Sequence, residues 1–197
     1  MRQITLIVIH CSASPNGESL FRGTPGQPGF QTPASAIDGW HAARGFKRAP
    51  DARARFNTDL AAIGYHHLIY LNGAVVAGRA HDEIGAHVSG YNQKSLGICM
   101  VGTDRFSAAQ WASLRDLVSM LRGMYPDARI VGHRDLSPDT NGNGVVEKFE
   151  WLKICPGFDV ATWIAGGMAP IAKGQRGAAC GASATPTGCA SNDGSES

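Results

Sequence analysis

The stretch ITLIVIH, residues 4–10, is a continuous apolar run rich in β-branched side chains, and it ends in a histidine. Such a run predicts a strand that is buried within a sheet. Because successive side chains of a strand point to opposite faces, Leu6, Val8 and His10 share one side, and Cys11 points to the other. The sequence therefore predicts a core strand that presents one imidazole at its end.

Further strands follow outward from this run. Apolar stretches predict them over residues 65–71, 74–77, 95–101 and 129–132. The first two are joined at Asn72-Gly73, a dipeptide typical of a hairpin turn. Residue 132 leads directly into a second histidine, His133. The pattern thus places two histidines at strand ends.

Helices are predicted between the strands. Ser35 is expected to cap a helix that ends at Arg44, and the capping box from Ser107 to Gln110 opens a second helix that ends near Gly123. Asp159 is expected to cap a last helical turn, while residues 12–34 and 47–55 read as loops. Strands separated by helices predict an α/β fold, a single domain with a central mixed β-sheet flanked by helices.

Composition narrows the class of protein. The 197 residues include 43% hydrophobic and 17% charged side chains, which is ordinary for a globular protein. Eighteen basic against sixteen acidic residues leave a net charge of +2, too weak a bias for a nucleic-acid partner. No run approaches the roughly 20 apolar residues of a membrane helix. The N-terminal run is short and has no cleavage site of small residues, so we expect synthesis in the cytoplasm without a signal peptide.

The composition changes near the C-terminus. No aromatic residue follows Trp163, and Gly, Ala, Ser and Thr dominate after Gly166. We therefore expect a folded domain over residues 1–165 and a flexible tail over 166–197. The five cysteines are odd in number and scattered, which excludes a disulfide framework, although Cys180 and Cys189 could pair in an oxidising compartment.

Three residues are candidate metal ligands: His10, His133 and Cys155. Three protein ligands and one open position form the usual catalytic zinc site. Spacing alone leaves an alternative open, since seven histidines in a chain of this size include structural ones.

Several motifs occur together in a family order. They are VIHCSAS at 8–14, GYHHLIYLNG at 64–73, IGAHVSGYNQKSLGICMVG at 84–102, GHRDL at 132–136 and KICPGF at 153–158. With them the chain resembles, over residues 4–164, the type-2 N-acetylmuramoyl-L-alanine amidase family, which includes short phage lysins and peptidoglycan recognition proteins.

The resemblance implies a catalytic site. It implies that His10, His133 and Cys155 bind zinc at the sheet edge, and that Tyr65 and Lys153 face the reacting carbonyl. Zinc lowers the pKa of bound water to about 7, and the Lys153 ammonium and Tyr65 hydroxyl can stabilise the oxyanion that forms on an attacked amide. Because family members that bind without cutting generally lack a complete ligand set, the intact set favours an enzyme.

Two further residues are predicted to contact substrate. His87 and Asn92 lie in GAHVSGYN, a segment that in the family lines the glycopeptide cleft. An ordinary surface loop is the alternative. Next to Tyr65, strand alternation places His67 on the Tyr65 face and His66 on the opposite face, so at most one of them is expected in the site.

The stretch DTNGNGVVEKFE, residues 139–150, matches a calcium-loop pattern in full. The predicted ligands are the side chains of Asp139, Asn141, Asn143, Glu147 and Glu150 and the carbonyl of Val145. No clear helix precedes the loop, so a turn rich in Asn and Gly that is held by its own hydrogen bonds is the alternative. Calcium is predicted to be structural and to stiffen the segment that carries Lys153 and Cys155.

The predicted function is zinc-dependent hydrolysis of the amide bond between N-acetylmuramic acid and L-alanine in peptidoglycan, by a phage or prophage endolysin. Such a protein would be a monomer without membrane insertion and would act on the cell wall after release. One alternative is a cytosolic amidase that recycles muropeptides. Another is a non-catalytic peptidoglycan-binding or regulatory module.

Overall fold

A computed structural model describes residues 2–171, so Cys180 and Cys189, whose pairing the sequence leaves open, and most of the predicted tail lie outside the described residues. Five strands form one mixed sheet in the order β3-β2-β4-β1-β5. They are β1 (Leu6–Cys11), β2 (His67–Ile69), β3 (Val75–Ala77), β4 (Ser95–Met100) and β5 (Arg129–Gly132). The predicted mixed sheet is confirmed.

The parallel strands set where the functional side chains meet. β1 runs parallel to β4 and to β5, with His10 opposite Cys99 and Ile9 opposite Gly132. Parallel strands end at the same edge of a sheet. His10 is the penultimate residue of β1, and His133 directly follows β5. The carboxyl edge of the sheet therefore receives both imidazoles.

Two helices cover one face of the sheet. They are α3 (Ala108–Met124) and α4 (Val160–Ala165). The predicted capping box holds the start of α3, because the Ser107 hydroxyl accepts from the Gln110 amide and the Gln110 side chain accepts from the Ser107 amide. The apolar stripe of α3 and the buried Trp163 of α4 pack on the side chains that β1 and β4 present to this face.

Two different segments cover the opposite face of the sheet. α1 (Pro33–Ala43) packs over β2 and β4. Over β1 and β5, a smaller cluster of Leu6, Val8, Val88 and Val131 is covered by the loop that follows residue 85. Leu6 and Val8 therefore share one side of β1, as alternation predicts, and the carboxyl end of that side holds His10.

Some predicted boundaries are wrong. α1 begins at Pro33, because Thr32 rather than Ser35 is its N-cap and Ser35 is the third residue of the capping box. Residues 50–55, predicted as loop, form the short helix α2 (Pro50–Arg55). α2 begins with a proline and buries none of its side chains, so no apolar periodicity marks it in the sequence.

The C-terminal end of the described chain is packed beyond the predicted domain boundary. Met168 and Ile171, which fall within the predicted tail, lie against the cluster on the α3 face. The Met168 amide also donates to the Trp163 carbonyl. In the described part of the chain, none of the helices has the length and apolar character to cross a membrane.

The face predicted for His67 is wrong. His67 Nε2 lies 2.7 Å from Nε2 of His81, whose Nδ1 lies 2.9 Å from the Tyr125 hydroxyl at the end of α3. The Tyr65 ring instead lies 5.1 Å from the His10 ring. β2 begins only at His67, so strand alternation does not extend back to Tyr65.

Protonation of His67 is expected to destabilise the fold in acid. Burial first, and then the charge of His81, lower the pKa of His67 to about 4, against about 6.5 in an unfolded chain. Between these two pKa values the unfolded chain thus binds more protons than the folded chain. The contribution of His67 to the free energy of unfolding is complete above pH about 6.5, and it is lost as the pH falls toward about 4. We expect urea unfolding of the metal-free protein to show roughly 2–3 kcal/mol of this loss between about pH 7 and pH 4.5.

The variant His67→Gln tests whether the loss of stability in acid comes from His67. Glutamine keeps a polar side chain of similar length but cannot take up a proton. Its free energy of unfolding should change less with pH than that of the wild type. Equal pH dependence in the two proteins would show that His67 does not contribute.

Candidate metal centre

The three predicted ligands converge at the carboxyl edge of the sheet. His10, His133 and Cys155 each offer one donor atom, and these atoms lie within 4.8 Å of one another. Among residues 2–171, this is the group of three or more His, Cys, Asp or Glu side chains that could hold a metal ion. The His10 and His133 ring centroids are 4.6 Å apart, and Cys155 Sγ lies 3.8 Å from His10 Nδ1.

The donor set fits zinc. Two imidazole nitrogens and one sulfur, with no carboxylate, suit a borderline-soft cation, and three protein ligands leave a position open for substrate or water. His10 is almost fully buried, while His133 and Cys155 are partly exposed. The centre therefore has a closed side formed by β1 and a side that solvent can reach.

The protonation states agree with metal binding. Burial, followed by the charges of His87, His133 and Lys153, lowers the pKa of His10 well below its ordinary value. Burial and the charge of Lys153 lower the pKa of His133 to about 4. Both imidazoles are thus neutral at physiological pH and have a nitrogen lone pair available.

Cys155 behaves differently from the histidines. Its contact with the Cys11 thiol, together with burial, raises its pKa. The Cys11 amide also donates to Cys155 Sγ at 3.2 Å. A thiolate at this position consequently needs a cation to stabilise its charge. Zinc would supply that cation, because cysteine binds zinc as the thiolate.

Residues 148–155, here called the Cys155 arm, are tied to the domain by Arg134. This buried guanidinium stacks over the Trp151 ring at 4.1 Å and donates to Asp159 at 2.7 Å. The Arg134 amide donates to the Cys155 carbonyl at 2.9 Å. Arg134 therefore fixes the arm that carries the sulfur ligand. No pattern in the sequence indicated that Trp151 and Asp159 would meet it.

Asp135 and Gly132 shape the other side of the arm. The Asp135 carboxylate accepts from the Gly132 amide at 2.7 Å, so it holds the turn that leads from β5 into His133. A Cβ at position 132 would lie 2.9 Å from Cδ of Pro156, so only glycine lets the residue that follows the arm approach this closely.

Tyr65 lies beside the candidate ligands. Its ring centroid is 5.1 Å from that of His10 and 5.1 Å from that of His41. Burial, followed by the charges of nearby cysteine sulfurs, raises the pKa of Tyr65 well above 10. The hydroxyl therefore keeps its proton at neutral pH and is a hydrogen-bond donor. His41 packs against Tyr65 and accepts from the Gly64 amide at 2.9 Å.

Lys153 is exposed on the Cys155 arm. Its charge contributes to the lowered pKa of both His10 and His133, so both candidate ligands experience the electric field of Lys153. The predicted placement of one cation beside the three ligands agrees with this electrostatic effect, while its contact with substrate stays a prediction.

His87 and Asn92 have protein partners of their own. His87 Nδ1 lies 3.0 Å from His10 Nε2. The Asn92 side-chain oxygen accepts from the amides of His87 and Val88, each at 2.9 Å. Asn92 thus holds the loop that carries His87, and the predicted substrate contacts of both residues stay predictions. His66 is buried nearby and accepts from the Gly97 amide at 3.0 Å.

The predicted calcium loop is wound around internal hydrogen bonds. The Asp139 carboxylate accepts from the amides of Gly142 and Gly144, each at 2.7 Å. Asn141 and Asn143 each accept from the amide two residues on. The buried Glu150 carboxylate accepts from the amides of Thr140, Asn141 and Glu147. Such hydrogen bonds are what the alternative interpretation, a turn held by its own hydrogen bonds, requires. Calcium binding stays a prediction.

Comparisons with known proteins agree with one another on the family. A family model described as N-acetylmuramoyl-L-alanine amidase matches residues 1–157. An uncharacterized protein of Haemophilus influenzae is 50% identical over 102 residues, which cover 48% of this chain and 88% of that one. An endolysin of Enterobacteria phage K11 is 36% identical over 110 residues, which cover 52% of this chain but only 64% of the endolysin.

A solved structure shares the fold. The N-acetylmuramoyl-L-alanine amidase LysC from Clostridium intestinale superposes with a TM-score of 0.57 at 23% sequence identity, over 85% of this chain and 86% of that one. At this level of identity the likeness extends to the architecture alone.

Proposed function

The chain belongs to the N-acetylmuramoyl-L-alanine amidase family, and from that premise we propose that it is a zinc-dependent hydrolase of peptidoglycan. The bond cut is the amide between the lactyl group of N-acetylmuramic acid and L-alanine. The observation that carries the proposal is the approach of the donor atoms of His10, His133 and Cys155 to within 4.8 Å of one another beside Tyr65.

The residues around the centre have distinct roles in this reaction. His10, His133 and Cys155 would hold zinc, which would supply Lewis acidity to lower the pKa of water and polarise a carbonyl oxygen. Tyr65 keeps its proton because its pKa is raised, and it can donate a hydrogen bond to the oxygen that gains charge. Lys153 adds a positive charge next to the ligands. Together these two side chains stabilise the negative charge of the transition state.

The biological role we propose is that of an endolysin. The endolysin of phage K11, at 36% identity, supports this role. Peptidoglycan is then the substrate, and the chain acts as a monomer on the cell wall after its release from the cytoplasm.

The test uses two substrates. Zinc-loaded protein is incubated with intact sacculi and, separately, with soluble muropeptides, and mass spectrometry identifies the products. An endolysin releases new L-alanine amino termini from sacculi. Cleavage of soluble fragments alone would indicate a recycling amidase, and binding to sacculi without new amino termini would indicate a non-catalytic module.

We also propose that the loop of residues 139–150 binds calcium as a structural ion. The supporting observation is its full match to the calcium-loop pattern, with carboxylate and amide oxygens of the kind that a hard cation prefers. The ion would stiffen the chain just before the Cys155 arm.

Calcium is therefore expected to stabilise the zinc-loaded protein. Titration to about 100 times the dissociation constant should add about 2.7 kcal/mol, which corresponds to a rise in Tm of roughly 5–10 °C for a chain of this size. Asp139→Asn removes one carboxylate of the loop and should weaken the response. A wild-type Tm and activity that ignore calcium would show that the loop is only a self-held turn.

A further inference from the structure

A second imidazole lies behind the candidate ligand His10. His10 Nδ1 faces Cys155 Sγ at 3.8 Å, while His10 Nε2 lies 3.0 Å from Nδ1 of His87. The two nitrogens of the His10 ring thus have different partners, one in the metal centre and one outside it.

With a metal ion on Nδ1 of His10, these contacts allow one arrangement of the ring hydrogens. A neutral imidazole that binds a metal through Nδ1 carries its hydrogen on Nε2. That hydrogen can only be donated to His87 if His87 Nδ1 is an acceptor, which places the hydrogen of His87 on its own Nε2. This nitrogen lies 3.4 Å from Ser95 Oγ, and the Ser95 hydroxyl donates to the Tyr91 carbonyl at 2.8 Å. The chain of donors therefore runs from His10 to a backbone acceptor.

The fold provides a slot for the His87 ring. A Cβ at position 97 would lie 2.7 Å from Cγ of His87, and a Cβ at position 85 would lie 2.5 Å from its Cδ2. Both distances are shorter than real carbon contacts, so the ring fits only because Gly85 and Gly97 lack side chains. Asn92 fixes the backbone on which the ring stands, by accepting from the amides of residues 87 and 88.

From this geometry we propose that His87 is a positioning residue of the metal centre. It accepts the Nε2 hydrogen of His10, and so selects the tautomer and the ring orientation in which Nδ1 of His10 points at the metal. The inference rests on the proposed zinc site and adds a residue that acts on the metal through a ligand. Hydrogen-bond partners of this kind typically change metal affinity by about 10- to 100-fold when they are removed.

The first measurement is the zinc affinity of the whole chain, obtained by competition with a chromophoric chelator. His87→Ala should bind zinc about 10- to 100-fold more weakly than the wild type. His87→Asn offers a side-chain oxygen close to the position of Nδ1 and should recover most of the loss. His81→Ala is the matched control, because His81 bonds to His67 and Tyr125 rather than to a ligand, and it should bind zinc like the wild type.

Two results would overturn the proposal. One is zinc binding by folded His87→Ala within twofold of the wild type, particularly with a raised KM, which would make His87 a substrate contact instead. The other is a long-range ¹H–¹⁵N spectrum of the zinc-loaded wild type that places the His87 hydrogen on Nδ1. The spectrum needs no variant, so the proposal is testable even if His87→Ala does not fold.

The same experiments separate this inference from the proposed function. A wild type that binds zinc and shows the affinity loss in His87→Ala, but releases no L-alanine amino termini, contradicts the proposed reaction and supports the positioning role. A wild type that binds no zinc contradicts both.

Discussion

Replacement of His133 by alanine is expected to abolish amide hydrolysis and to release zinc from the protein. His133 supplies one of the three converging donor atoms, and two remaining ligands do not make a catalytic zinc site. We expect kcat/KM to fall by about 10³-fold or more, a loss of at least about 4 kcal/mol of transition-state stabilisation. Hydrolysis of sacculi and metal content by elemental analysis measure the two effects.

The fold should survive this change. His133 is only partly buried and lies at the start of a short 3-10 helix at the carboxyl edge, outside the clusters that pack the sheet. His67→Ala is the matched control, because it removes another partly buried histidine that lies in β2 and contacts His81 instead. If the His133→Ala protein kept both zinc and activity, His133 would not be a ligand of the metal centre.

Cys155→Ser should behave like His133→Ala, since a serine hydroxyl is a far weaker zinc ligand than a thiolate. His133 and Cys155 act as a unit with His10, because all three would bind one metal ion. A double variant should therefore be no less active than either single variant. An additive loss would indicate separate roles.

Much of the scaffold of the site follows from local sequence. The apolar run that ends in His10 and the strand before His133 are buried strands, and parallel pairing alone brings their ends to one edge. Capping boxes and Asn-Gly turns act within a few residues, which is why the sequence correctly predicts the helix start at Ser107 and the hairpin turn at Asn72-Gly73. Helix α2 lacks buried side chains, so the apolar pattern on which such predictions depend is missing.

The contacts that support the ligands depend on distant parts of the chain. Arg134 meets Trp151 and Asp159 only when residues 151–159 have folded back against the segment that follows β5. The bond between His10 and His87 joins residues 77 positions apart. A sequence lists such polar residues but not their partners, because a hydrogen bond between side chains leaves no periodic pattern. The two glycines at 85 and 97 are the one trace of the His87 slot, and it is visible only after the ring is placed.

Replacement of Lys153 by methionine is expected to lower kcat by about 10²- to 10³-fold while zinc stays bound. Lys153 is exposed and is not a ligand, so its loss should leave the three donor atoms in place. Its charge nevertheless contributes to the lowered pKa of His10 and His133, so we expect it also to stabilise the carbonyl oxygen as that oxygen gains charge. Removal of one such stabilising group typically costs about 2.7–4 kcal/mol of transition-state energy.

The matched control is Lys148→Met, because Lys148 is also an exposed lysine of the Cys155 arm but does not affect the pKa of either histidine. It should keep nearly full activity. Because the interaction strengthens as charge develops, Lys153→Met should change kcat much more than KM. An equal loss in both lysine variants would assign the effect to the net charge of the arm, and loss of zinc from Lys153→Met would assign it to the geometry of Cys155.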